Sequence, residues 1–208
     1  MMALPLPARL LRDRRGASLP EFAIVLMPLL VMLMGAVDIG YQAYVRVVTL
    51  GALESASRRV LLEGADEATI EADTRAQIKR VLSSANVAVV TGTFYRFNDI
   101  EAMERITLDL NNNGQLDGPV DTDGNGVPDK SDCWEDVDNN GVRNLVATGR
   151  TGIGGADDIV KSTATVTYTR LLPIWRLIGI SETATVAAST MVRRQPYENQ
   201  GVPTIRCL

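Results

Sequence analysis

Residues 14–38 read RRGASLPEFAIVLMPLLVMLMGAVD, and the organisation of the chain follows from this stretch. From Phe22 to Val37 no charged residue occurs over 16 positions; carried back to Ala17 the run reaches 21, with Glu21 its only ionisable group. A helix that crosses a bilayer needs about 20 mostly apolar residues. A helix packed on a soluble core usually keeps a polar face, and this run has none. Arg9, Arg12, Arg14 and Arg15 precede it and Asp38 follows it. Positive charge stays on the cytoplasmic side, so the C-terminal bulk is expected across the membrane. Pro20 suits a first helical turn, where its missing N–H has no partner to lose. Pro28 is expected to kink the helix.

The junction between the basic leader and the apolar run carries a second signal. A secretory signal peptide would be cut after its apolar run, at small residues in A-x-A spacing. Here Gly16 closes the leader, and five residues later Glu21 heads the apolar run, followed by Phe22. This resembles the processing site of type IV prepilins, and the Glu-Phe pair is similar to the variant of the TadE/TadF group of the tight-adherence (Flp) pilus system. The resemblance implies cleavage by a prepilin peptidase between Gly16 and Ala17, with the helix retained. It implies a minor pilin or pseudopilin of the bacterial inner membrane, single-pass, with its C-terminal domain periplasmic or extracellular. Its partners would be other pilin subunits through the N-terminal helix, the inner-membrane assembly platform and the lipid bilayer. Glu21 would pair with the new N-terminal amine of a neighbour. A carboxylate at the bilayer centre costs about 2.5–3.5 kcal/mol on insertion scales; so near the membrane edge, an unpaired interfacial acid is the other reading.

Beyond Asp38 the spacing of Val45, Val48, Ala52, Ala56 and Val60 predicts that the helix continues out of the membrane, over Ser18–Leu62, with Gly64 as its stop. A second helix is expected over Asp66–Ser84, with Ile70, Ile78, Val81 and Leu82 on one face. NVAVVTGTFYRF, 86–97, reads as a strand; 98–106 is ambiguous. IVKSTATVTYT, 159–169, and ETATVAASTMVR, 182–193, alternate as strands do. Between them lies LLPIWRLIGI, 171–180, and this arrangement also resembles TadE-like C-terminal regions. The loop has two readings: a lid packing the sheet on the stem helix, or an exposed patch in which Trp175, Leu177 and Ile178 meet a partner subunit or the membrane. The lid is preferred, because a small domain needs that area for its core.

Residues 109–144, DLNNNGQLDGPVDTDGNGVPDKSDCWEDVDNNGVRN, hold nine carboxylates against Lys130 and Arg143. One pattern occurs three times: Asp109, Asn111, Asn113, Gly114, Asp117; Asp121, Asp123, Asn125, Gly126, Asp129, followed by Asp132; and Asp136, Asp138, Asn140, Gly141, Asn144. Oxygen ligands at positions 1, 3 and 5 curl around a hard cation, glycine at 6 makes the turn, and a carbonyl at 7 and a side chain at 9 complete the shell. The carbonyls would be those of Gln115, Val127 and Val142. No glutamate stands at position 12, so these are not complete EF-hands. DTDGNGVPDKSDC, 121–133, is similar to thrombospondin type 3 repeats. Calcium is the expected ligand, with weak affinity of about 10⁻⁴–10⁻³ M. An acidic disordered loop is the alternative, and three copies in register weigh against it.

The formal charge of −4 averages a basic leader against this acidic block. Clustered basic charge of the kind that binds nucleic acid is missing. The chain has no histidine, so the Ser-His-Asp triad and the Cys-His dyad are excluded. The adjacent acids Asp157 and Asp158 lack any accompanying pocket motif, and no enzyme is expected. Cys133 and Cys207 form either one disulfide or two buried thiols. The expected architecture is α+β: leader 1–16, membrane and stem helix 17–62, helix and strand 63–108, calcium loops 109–144 and a strand hairpin with tail 145–208. The competing function is a membrane-anchored, calcium-dependent adhesin or sensor that never joins a filament.

Overall fold

The computed structural model describes residues 18–62, 64–172, 174–177, 179–195 and 200–208. The expected leader and the scission pair Gly16 and Ala17 lie outside the described residues. Helix α1 runs Ser18–Val60 with Pro20 and Glu21 in its opening turns, Pro28 inside it and Arg58 and Arg59 in its last turn. Acid near the start and base near the end complement the helix dipole. Gly64 follows at a left-handed φ of +71°.

The chain divides into two compact units. The first combines the described residues up to 44 with those of 170–182. Its part of α1 includes a segment long and apolar enough to cross a membrane, of which only 6% is buried inside the structure. A core helix of a soluble domain would have hidden that surface. Phe22, Ile24, Val25, Met27 and Met32 are all exposed. Asp38, at the end of the uncharged run, is buried and ion-paired with Arg170. The short helix α3, Ile174–Leu177, completes this unit.

The second unit spans 45–169 and 183–208. Here α1 buries Val45, Thr49, Ala52, Leu53, Ala56 and Val60, the three-and-four spacing of one helical face. Helix α2, Glu67–Val81, opens on Asp66, whose carboxylate accepts the Thr69 N–H at 2.8 Å; an aspartate in this role satisfies a donor the helix cannot pair itself. It buries Ile70, Thr74 and Ile78. Val81, expected on that face, is instead exposed, while Leu82, just past the helix end, is buried. Departure from helical geometry at Leu82 redirects the chain inward.

Strands β1 (Asn86–Phe94), β4 (Ile159–Thr169) and β5 (Thr183–Arg193) form one antiparallel sheet in the order β1-β4-β5. Central β4 alternates buried with half-buried residues. Ala56, Val60, Ile70 and Val160 make one buried cluster, so the stem helix, α2 and the sheet share a core. Strands β2 (Ile106–Leu108), β3 (Cys133–Asp136) and β6 (Thr204–Cys207) form a second antiparallel sheet in the order β2-β3-β6. Cys133 faces Cys207 across the β3–β6 ladder, and the two are bonded.

One local expectation is corrected. The strand from Asn86 ends at Phe94, and Phe97–Asp99 is a 3₁₀ turn. Strand β3 lies inside the acidic block. The polar tail ends in a strand, since β3 offers it an edge and the disulfide holds it there.

Candidate functional site

The three acidic repeats adopt one backbone design. In the first, the Asp109 carboxylate accepts N–H bonds from Asn113 (3.3 Å) and Gly114 (2.7 Å), Asn111 Oδ1 accepts from Asn113, and Asn113 Oδ1 accepts from Gln115. In the second, Asp121 accepts from Gly124 and Gly126, Asp123 from Asn125, and Asn125 from Val127. In the third, Asp136 accepts from Asn140 and Gly141, Asp138 from Asn140, and Asn140 from Val142. Each sixth-position glycine, Gly114, Gly126 and Gly141, has a φ between +76° and +84°, where a side chain would be strained. Side-chain oxygens at positions 1, 3 and 5 are thereby drawn toward the inside of each turn.

Position 9 closes each loop differently. Asp117 accepts the side-chain amides of Asn111 and Asn113. Asp129 accepts the N–H and hydroxyl of Thr122. Asn144 donates to Asp138 at 2.6 Å. These bonds leave their mark on acidity. The Gly126 N–H, helped by Gly124, holds the Asp121 carboxyl below the usual range, and Thr122 does the same for Asp129. Burial pushes Asp136 upward, but the Gly141 N–H, the Arg206 guanidinium and the Asn140 N–H outweigh it and hold the carboxyl down.

Two carboxylates reach the loops from elsewhere. Asp132, which the sequence spacing assigned to the end of the second repeat, is fully buried and serves the first. Its oxygens accept the Leu110 and Asp117 N–H groups, each at 2.9 Å. Glu104, absent from the sequence-derived set, is buried beside the third loop, where it accepts the Val137 and Asn144 N–H groups at 2.8 Å. Single oxygens of Glu104, Asp136 and Asp138 lie within 4.8 Å of one another. No local spacing could have announced Glu104, which precedes Asp136 by a whole loop system. Arg206 also pairs with Asp136 and donates to Asn139 at 3.0 Å, so a protein cation already flanks this group. The donors are all carboxylate, amide and carbonyl oxygens, the set preferred by a hard cation.

The remaining acid pair divides its labour. Asp157 pairs with Arg193 at 3.3 Å. Asp158 is buried, bonded to Arg150 and to the Gly155 N–H, each at 2.7 Å, and Arg150 stacks over the Tyr95 ring.

At the other end of the chain, Glu21 and Phe22 lie exposed on α1. No curated protein and no solved structure matches the chain. A family model described as TadE-like protein matches residues 16–58. The matched segment begins at the glycine before the expected scission, contains Glu21 and Phe22, and ends within the last turn of α1. Over those residues the chain is similar to TadE-like proteins, a likeness that suggests involvement in the tight-adherence pilus system.

Proposed function

We propose that the chain is a minor pilin or pseudopilin that takes part in assembling or priming a tight-adherence-type pilus, with a calcium-stabilised domain on the far side of the inner membrane. The observation that carries this reading is the position of the family match, which starts at Gly16 and spans the exposed apolar helix. In this reading a prepilin peptidase removes residues 1–16. The retained helix then bundles with the helices of other pilin subunits, Glu21 meeting a neighbour's terminal amine, before delivery by the inner-membrane assembly platform. The role is structural and not enzymatic.

Calcium would be held by Asp109, Asn111, Asn113 and Asp117; by Asp121, Asp123, Asn125 and Asp129; and by Asp136, Asp138, Asn140 and Asn144, with Glu104 added to the last set. Asp132 braces the first loop from behind. The likeness of 121–133 to thrombospondin type 3 repeats supports the same ligand. The ion would replace the mutual repulsion of these acids with attraction, stiffening a segment that has little apolar surface of its own.

Two measurements test the proposal. Mass spectrometry of the protein from cells containing a prepilin peptidase should give a chain beginning at Ala17. A soluble form beginning beyond Asp38 would refute the filament role, and an uncut leader would favour the membrane-anchored adhesin or sensor. Calcium titration should increase ordered circular dichroism and slow protease cutting within 109–144; no change in either would remove calcium from the reading.

A further inference from the structure

The segment 170–182 belongs to the same compact unit as the apolar half of α1, and its attachment fixes its depth. Arg170 pairs with buried Asp38, to which Gln42 also donates. The same arginine closes the loop on itself. Its backbone N–H donates to the Glu182 carbonyl at 2.8 Å, its Nε to the Ser181 carbonyl, and its guanidinium lies 5.1 Å from the centre of the Trp175 ring. Within the loop, the Ile180 N–H returns to the Trp175 carbonyl. This closed structure is tied to the helix through Asp38.

That residue is the first charge after the uncharged run. From Glu21 to Asp38 the helix rises about 26 Å at 1.5 Å per residue, against a hydrocarbon core about 30 Å thick. If Glu21 lies at one edge, Asp38 lies at the other, and the loop hangs at the level where α1 leaves the hydrocarbon. Trp175 is half-buried there, its Nε1–H shielded and without a hydrogen-bond partner, while aliphatic side chains beside it are open. Leu171 is 54% and Ile180 42% exposed. The Arg176 side chain is exposed and bends toward Glu182. Tyr41 and Tyr44, in the next two turns of the helix, lie with tilted rings whose centres are 6.2 Å apart. Exposed aliphatics beside tryptophan, tyrosine and arginine are the composition of a bilayer interface, where ring and guanidinium face headgroups and the apolar parts face acyl chains.

We propose that the 170–182 loop is an interfacial foot, seated in the headgroup–acyl boundary of the leaflet through which α1 emerges, with Leu171, Trp175 and Ile180 as its lipid contacts. The Arg170–Asp38 pair holds it at that depth. This rests on α1 spanning the bilayer, and the test separates the two.

The full chain carrying Trp134→Phe, so that Trp175 is the sole tryptophan, is reconstituted into vesicles of phosphatidylcholine and phosphatidylglycerol. Flotation and resistance to alkaline carbonate report insertion of the helix. Lipids brominated near the carbonyl end of the acyl chain report the foot, and are expected to remove at least about half of the Trp175 emission, more than lipids brominated near the chain end do. Leu171→Asp with Ile180→Asp should abolish that quenching while leaving flotation intact. If Trp134→Phe does not fold, the quenching of the wild-type chain that disappears in Trp175→Phe gives the same quantity. An inserted protein whose Trp175 is not quenched overturns the foot alone. Protection of Trp175 that grows with the protein-to-lipid ratio overturns it in favour of a second copy of the chain. A protein that neither floats nor resists carbonate overturns both the span and the foot.

Discussion

Asp132 offers the sharpest quantitative test of how the acidic block is held. It is fully buried, and its two oxygens each accept a backbone N–H at 2.9 Å, from Leu110 and from Asp117. Hydrogen bonds to a charged partner contribute about 1.5–3 kcal/mol each, and a buried donor left unpaired costs about 1–3 kcal/mol. Asp132→Asn keeps the shape and one carbonyl oxygen, so one bond survives in weaker, neutral form. The other N–H then faces an amide NH₂, donor against donor. The expected loss is about 3 kcal/mol, which for a unit of this size lowers the melting point by about 6–12 °C. Asp132→Ala leaves both donors unpaired and should cost more. The assay is thermal unfolding of the full chain in detergent micelles, carrying Trp175→Phe so that only Trp134 reports. Trp134 lies buried in β3, two residues from the substitution. If Asp132→Asn melts with the unsubstituted chain, or Asp132→Ala is no less stable than Asp132→Asn, then Asp132 is not the brace of the first loop.

Other expectations follow from the same structure. Cys207→Ser opens a closure spanning 74 residues, and the chain-entropy model puts the loss at about 4 kcal/mol; the urea midpoint should fall, and protease should cut the 194–208 segment first. Asp121, Asp129 and Asp136 have folded acidities below the unfolded value of about 3.9, so what their ionised forms contribute is fully present above that pH and is lost as pH falls through the lower folded values. Trp134 emission and circular dichroism should therefore hold steady from pH 7 to 5 and change only below about pH 4. A transition centred near neutrality would contradict this. Gly154 has a φ of +66°, and a Cβ there would stand 2.3 Å from Thr93 Cγ2 and 2.6 Å from Asp158 Oδ2. Gly154→Ala should cost about 1–3 kcal/mol in backbone strain alone. At its neighbour Gly155 the nearest such atom is 3.7 Å away, and Gly155→Ala should be mild in the same denaturation assay.

Some of this molecule was written in short-range pattern. The uncharged run from Phe22 fixed the long helix, because an unbroken apolar surface has one economical backbone form in lipid, where every N–H must pair within its own segment. The triple repeat fixed the turn design, since the bonds around each glycine reach no further than five residues and the position-9 closures only six or seven, and glycine is the residue that takes the left-handed turn without strain. The alternating threonines of β4 and β5 fixed their hairpin for the same kind of reason. Tertiary structure alone decided what depends on distant partners. Glu104 joins the third loop across more than thirty residues. Asp132 turns back to the first repeat because its carboxylate lies beside the N–H groups of Leu110 and Asp117. The tail becomes β6 because β3 has a free edge and Cys133 faces Cys207. Asp38, to the sequence only the end of an apolar run, becomes the peg for a loop 132 residues away. Period and composition govern contacts within a few residues; a buried carboxylate takes whichever donors the fold brings to it, and no local spacing encodes that choice.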